Sequence, residues 1–424
     1  MDTESEQQFL ATYPLAASMR DEDRRFLLEL SRRHKFSFQQ MRMLIELSID
    51  LSLWDQGSLS MLWNEDVAAK LSGKPRNKAI IDAVIQQIDS LRKNPTDYSD
   101  FTRKPRMTSK ATHIETLGDE RLLGRCPCPV SGEKTRCCNL LTLDVVQQCA
   151  FACSYCSIQS FYHQEEIHFA ANLAQRLETL ELPEGAWHIG TGQSSDSLMW
   201  GNDHGILDAL SSFAAQHPHV VLELKTKSGR TDWLGKTSYP NNMVATWSLN
   251  APTIIHKEEH LTATLEKRFE AARKAADCGM PIGFHMHPMV HFAGWEEEYR
   301  TVVEEITTRF SPGEVVMVSL GTLTFTKEVL KQLRGSGRPS RILQMELTET
   351  AGKYSYPLEI KQQMFSHAYN CFPESWKSGN GPFFYLCMEL PQLWEPVFGY
   401  SYPDNASFEA AMKQHYRGKI SRHS

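Results

Sequence analysis

The chain has no apolar run near the roughly 20 residues that a membrane-crossing helix needs, and its opening, "MDTESEQQ", holds no apolar core of a secretion signal. Both absences predict a cytoplasmic protein without a membrane partner. No internal repeat or low-complexity tract occurs, which excludes a solenoid or a linker-like chain. Excess charge is also small: 45 Lys and Arg stand against 51 Asp and Glu, a net of -6. That balance excludes coating of nucleic acid by bulk attraction and leaves open only a local basic groove. Cysteine is not scarce. There are ten, and in a chain lacking a secretion signal they read as thiols, metal ligands or core residues rather than disulfides. Seven of them fall between Cys126 and Cys156.

At 424 residues the chain exceeds what one core usually serves, so a main domain with accessory sections is expected. The segments "DRRFLLELSRRH", "SFQQMRMLIELSIDLSLW" and "NKAIIDAVIQQIDSLRK" repeat apolar residues at three and four, which predicts a helical domain over 1–97. A polar, cysteine-containing linker is expected over 98–139. From residue 140 to 335, short β-branched runs alternate with helical stretches: "LLTLDVV", "AWHIGTG", "HVVLELKTK", "MVATWSLN", "PIGFHMHPM" and "EVVMVSLG" are the strand candidates. Strands that alternate with helices predict parallel βα units, whose chemistry sits on loops at the carboxyl ends of the strands. The remainder, 336–424, mixes helix, the strand-like "FFYLCME" and polar turns, an α+β extension without a defined architecture.

The stretch "DVVQQCAFACSYCSIQSFY" follows the first strand candidate and spaces Cys149, Cys153 and Cys156 as C-x3-C-x2-C. A closed zinc site and the usual iron-sulfur cluster both take four protein ligands. Three thiolates therefore either leave one iron of a [4Fe-4S] cluster open for chemistry or recruit a fourth zinc ligand from Cys126, Cys128, Cys137 or Cys138. Those four, in "RCPCPVSGEKTRCC", are also candidates for a second metal site or for a reduced loop beside the barrel mouth. Further on, "HIGTGQSSDSL" places Gly190 and Gly192 around Thr191 at the end of the second strand, where glycine lets backbone approach a ligand closely.

The three-cysteine loop, including Tyr155 before its last cysteine, resembles the signature of the radical S-adenosylmethionine superfamily. In that superfamily the open iron of a [4Fe-4S] cluster binds S-adenosylmethionine, which is split to a 5'-deoxyadenosyl radical. The resemblance implies an α/β fold: an incomplete (β/α)6 TIM-like barrel with an N-terminal helical domain and a C-terminal extension. Cys149, Cys153 and Cys156 would hold the metal. Tyr155, Gly190, Thr191 and Gly192 would contact the cofactor. An electron donor such as flavodoxin or ferredoxin is implied as a partner.

Within that superfamily, Leu140 to about Lys327 resembles the spore photoproduct lyase family, which reverts a thymine dimer of spore DNA. The residues concerned are "SSD" (Ser194–Asp196), "TK" (Thr226, Lys227), "SLN" (Ser248–Asn250), "LEKRFEAARKAADCGMPIGF", "GWEEEY" and "FTK". This narrower resemblance adds Ser195, Lys227 and Ser248 as holders of the cofactor's carboxylate and ribose, and DNA with a pyrimidine lesion as the partner. Arg268 also matches, yet an arginine on an amphipathic helix reads more often as a surface residue. His285, His287 and His291 read as cavity lining. Two positions depart from the family. Gln193 stands where the family has the cysteine that returns a hydrogen atom, and Ser157 replaces a tyrosine of its radical relay. Cys387 and Tyr155 are the sequence candidates for a replacement catalytic donor. The departures leave a second reading, a radical enzyme acting on RNA, a peptide or a metabolite, and a third, a non-catalytic metal-binding scaffold.

Overall fold

Runs of Val, Ile and Leu too apolar to face water on either side fall into adjacent strands of one sheet. The computed structural model describes residues 10, 12–102, 113–116, 121–126, 134–157, 167–235 and 239–422. Cys128 and most of the basic stretch after residue 101 lie outside the described residues. The sheet has eight strands in chain order: β1 (Leu123–Arg125), β2 (Leu141–Leu143), β3 (His188–Thr191), β4 (Val221–Thr226), β5 (Met243–Leu249), β6 (Ile282–Met289), β7 (Val315–Thr322) and β8 (Phe383–Leu386). From β2 to β8 every pairing is parallel; β1 pairs antiparallel with β2. Every residue of β5 and β7 is buried, as expected where helices cover the outside and side chains fill the inside. Strands β2 to β7 are the six expected from the sequence, and the fold is the incomplete parallel barrel.

The strand-like "FFYLCME" supplies β8, a further parallel strand beside β7. "LLTLDVV" is divided: Leu141–Leu143 enters the barrel sheet, while Val146–Gln147 joins a small sheet with Ile167–Ala170. The barrel's two edges meet at one bridge. Arg136 N–H donates to the Glu389 carbonyl at 2.9 Å, tying the segment before β2 to the segment after β8.

Three long helices, α1 (Asp21–Arg33), α2 (Phe38–Trp54) and α3 (Gly73–Lys93), with shorter helical turns between them, make up most of the amino-terminal section. Ser37 and Gln40 cap α2 reciprocally. These helices enclose a core of their own, with Leu27, Leu30, Leu44, Trp54, Val84 and Ile88, separate from the barrel core. They dock on the barrel through Asp50, whose carboxylate accepts from Arg334 Nε at 2.8 Å, Arg334 Nη2 at 2.9 Å and Arg92 Nη2 at 2.9 Å. Ser340 N–H and Arg341 Nε complete the junction on the Leu53 and Trp54 carbonyls. Among the described residues no helix is long and apolar enough to cross a membrane.

Candidate active site

Because strand side chains alternate, every second residue of β4 to β7 points into the barrel, and several of those residues are polar. Glu223 on β4 accepts from Thr246 Oγ1 at 2.9 Å and meets His188 Nε2 at 2.9 Å and His285 Nε2 at 2.5 Å. His285 Nδ1 lies 2.6 Å from Ser319 Oγ, which lies 3.0 Å from His287 Nε2. Burial, with Lys225 adding repulsion, pushes His285 down to about 4 and His287 well below its ordinary value. Uncharged rings give the chain one direction: His287 donates to Ser319, Ser319 to His285, and His285 to the Glu223 carboxylate. Burial alone would raise Glu223, but the two histidines outweigh it and hold the carboxylate well below its usual range.

The cysteine loop leaves β2 and crosses the carboxyl end of the barrel. Ala152 N–H and Ser154 N–H donate to the carbonyls of His260 and Glu258, and Cys156 N–H closes a turn on the Cys153 carbonyl. Ser194 Oγ and Ser195 Oγ brace the loop's entry, each donating at 2.7 Å to the Val146 and Gln148 carbonyls. Asp196 ties β3 to β4 by accepting from Thr226 Oγ1 and Lys227 N–H, both at 2.6 Å. Gly192 has φ +86°, and a Cβ there would lie 2.7 Å from Ser197 Oγ and 2.9 Å from the Lys225 carbonyl, so only glycine fits. Gly190, on β3, is packed against Leu140, and Thr191 Oγ1 donates to Ser197 Oγ at 2.6 Å.

Glu259 is the hub of this end. It accepts from the Tyr155 hydroxyl, from Arg268 Nη2 at 2.5 Å, Asn250 Nδ2 at 3.2 Å and Lys227 Nζ at 3.4 Å. Burial opposes its charge, yet Arg268 and then Lys227 hold its carboxyl down to about 2. Lys227 Nζ also lies 5.7 Å from the Tyr155 ring centre. Thus Tyr155 and Lys227 are brought together with the loop, beside the end of β3. Ser248 is buried on β5, its carbonyl accepting from Arg268; Arg268 is fully buried, not a surface residue. Sequence reasoning missed Glu259; its only sign was the acidic pair in "HKEEH" after β5.

The cysteine loop suits a cluster. Cys149, Cys153 and Cys156 are thiols without a disulfide. Burial raises Cys149, with Asp196, Cys156 and Cys153 adding repulsion, and burial also raises Cys153. Iron, which binds thiolates, would supply the missing positive charge. Among the described residues no three His, Cys, Asp or Glu side chains close on a single ion-sized point, whereas a cubane takes one thiolate at each of several irons. Cys126, Cys137, Cys138 and Cys387 gather elsewhere, along the seam bridged by Arg136 and Glu389: Cys138 feels Cys137, Cys387 and Cys126. Cys387 is pushed up to about 12 by burial, against the pull of Lys225. Cys126 Sγ donates to Gln193 Oε1 at 3.8 Å.

A parallel barrel with three thiols on the loop after its first parallel strand is the build of the radical S-adenosylmethionine class. The chain matches the spore photoproduct lyase family over residues 142–367, and it belongs to that family. It is 22% identical over 179 residues to spore photoproduct lyase of Clostridium acetobutylicum, covering 41% of this chain and 53% of the relative. With the Bacillus subtilis enzyme it shares 36% identity over 85 residues, covering 20% and 25%. The chain thus spans about half the length of the first of these curated relatives and a quarter of the second. A solved cysteine-to-serine variant of spore photoproduct lyase superposes with a TM-score of 0.50 at 19% identity, covering 65% of this chain and 82% of that one. A solved double variant of spore photoproduct lyase, holding S-adenosylmethionine and dinucleoside spore photoproduct, gives 0.47 at 19% identity, covering 61% and 80%. The structural likeness is one of fold.

Proposed function

We propose that the chain is a radical S-adenosylmethionine enzyme of lyase type that reverts a pyrimidine lesion in DNA. The observation that carries this reading is the loop of Cys149, Cys153 and Cys156 at the carboxyl end of the barrel, within the family match. The three cysteines would hold a [4Fe-4S] cluster, which with S-adenosylmethionine supplies a 5'-deoxyadenosyl radical.

The chain's own residues would do the rest. Lys227, a compact charge with three donors, would take the cofactor carboxylate, releasing Glu259 to its other partners. The backbone of Gly190, Thr191 and Gly192 would receive the cofactor's amino group, and Ser195 and Ser248 would border its carboxylate and ribose. Tyr155 would lie along the adenine. A lesion must leave the base stack to reach this depth, at a cost lowered by its poor pairing. An electron carrier such as flavodoxin or ferredoxin would act from outside, where a cavity of about 600 Å³ reaches Ser154 and Cys156 between Leu53 and Leu333.

Gln193 and Ser157, the two departures from the family pattern, favour a second reading: the same radical chemistry on another substrate, such as RNA, a peptide or a metabolite. Anaerobic incubation of the reconstituted, reduced protein with S-adenosylmethionine and dinucleoside spore photoproduct decides between them. Restored dinucleoside supports repair. Cofactor cleavage without any restored dinucleoside rejects it in favour of the second reading.

A further inference from the structure

Opening a lesion with a carbon-centred radical leaves the product one hydrogen atom short. Among side chains a thiol gives up a hydrogen atom most easily, because S–H is a weak bond; a carboxamide such as that of Gln193 has no comparable hydrogen. Gln193 follows Gly192 at the end of β3 and precedes the two serines that brace the cysteine loop. Its Oε1 accepts from Cys126 Sγ at 3.8 Å. Cys126 reaches that point from a different part of the chain: its N–H donates to the Leu140 carbonyl at 2.9 Å, which continues the pairing of β1 with β2. Half-buried Cys126, Cys137, Cys138 and Cys387 share the seam between the barrel edges, where the lumen's Lys225 also points.

We propose that Cys126 is the catalytic hydrogen-atom donor of this chain, its thiol held by the side chain of Gln193. The proposal rests on the radical reading above. In the step, the Cys126 S–H bond breaks homolytically and a C–H bond forms on the product radical, leaving a thiyl radical. One electron from the one-electron carrier protein that serves the cluster, with one proton from water, returns the thiol. Cys387, named from the sequence, shares the seam but lies past the end of β8, its N–H on the Leu320 carbonyl, and the Tyr155 hydroxyl is committed to Glu259.

The test compares the reconstituted full chain with Cys126→Ser, which keeps the shape and hydrogen bond, Cys126→Ala, Cys387→Ala, and Cys126→Ala carrying Gln193→Cys. Each, kept reduced with dithionite, is given S-adenosylmethionine and dinucleoside spore photoproduct in deuterated water, so that exchangeable thiol hydrogen marks the product. Wild type and Cys387→Ala are expected to place deuterium in the restored dinucleoside. Both Cys126 variants should still cleave the cofactor while yielding about tenfold less labelled product or worse, and Gln193→Cys should restore it. Labelled product at the wild-type rate from Cys126→Ser overturns the proposal and leaves the repair reading standing. No restored product from wild type overturns both. Independently of turnover, bound dinucleoside should shield Cys126, and not the exposed Cys278, from N-ethylmaleimide; equal labelling of Cys126 with and without it contradicts the placement.

Discussion

If Lys227 takes the cofactor carboxylate as proposed, one side chain serves two states. Without cofactor its ammonium is shared between Glu259 at 3.4 Å and the His287 carbonyl at 3.3 Å, both long contacts that a cofactor carboxylate would better. Glu259 keeps its charge without it, because Arg268 binds at 2.5 Å with no exposure on either side chain. Removing Lys227 should therefore spare the fold and weaken the cofactor alone. Lys227→Ala is predicted to lower S-adenosylmethionine affinity by about 1.5–3 kcal/mol, the range for a hydrogen bond to a charged group, with iron content unchanged. Equilibrium dialysis of the reconstituted protein measures this, and unchanged affinity returns Lys227 to a structural role. At this scale the sequence showed residue types well and partners poorly. Cys126 and Gln193 were both visible, but their contact joins positions 67 apart and depends on how β1 lies against β2.

Among elements, the junction of the helical section with the barrel rests on few groups. Asp50 is buried on α2, and two arginines from different elements converge on it. Removing one partner of a buried pair leaves the others uncompensated, a cost of roughly 3–5 kcal/mol when all are dry. Arg92 and Arg334 keep some access to water, so Asp50→Asn is predicted to cost about 2–3 kcal/mol. Glu46→Gln, which loses a longer and wetter contact to Arg334, should cost under about 1 kcal/mol. Urea unfolding of the two variants tests the ranking; equal losses would contradict it. Strands β2 to β7 were legible because a parallel sheet buried on both faces demands continuous apolar runs. Strand β8 was not placed, because an apolar run does not reveal which edge it will join. Strand β1, three residues long, carries no pattern at all and is held by its pairing with β2.

The molecule as a whole encloses a polar lumen, and that has a consequence in acid. His285 has a folded value of about 4 against roughly 6.5 in an unfolded chain. Between those values the unfolded state binds a proton that the native state does not, so stability falls as pH drops from about 6.5 to about 4. The groups facing it are Glu223, Lys225, His287, His188 and Ser319. Cluster-free protein is predicted to lose up to about 3 kcal/mol across that window, and His285→Gln should flatten the loss. Urea midpoints measured across the window check both, and equal slopes in the two proteins would contradict the assignment.

The central claim is that Cys149, Cys153 and Cys156 together hold a cluster that splits S-adenosylmethionine. Its most direct test is anaerobic reconstitution of wild type and of the three single alanine variants, with iron, sulfide and dithionite-dependent 5'-deoxyadenosine measured on each. Wild type should bind about four irons per chain and form 5'-deoxyadenosine, and each variant should lose the cofactor cleavage. A Cys153→Ala protein that kept its irons and still formed 5'-deoxyadenosine would contradict the account.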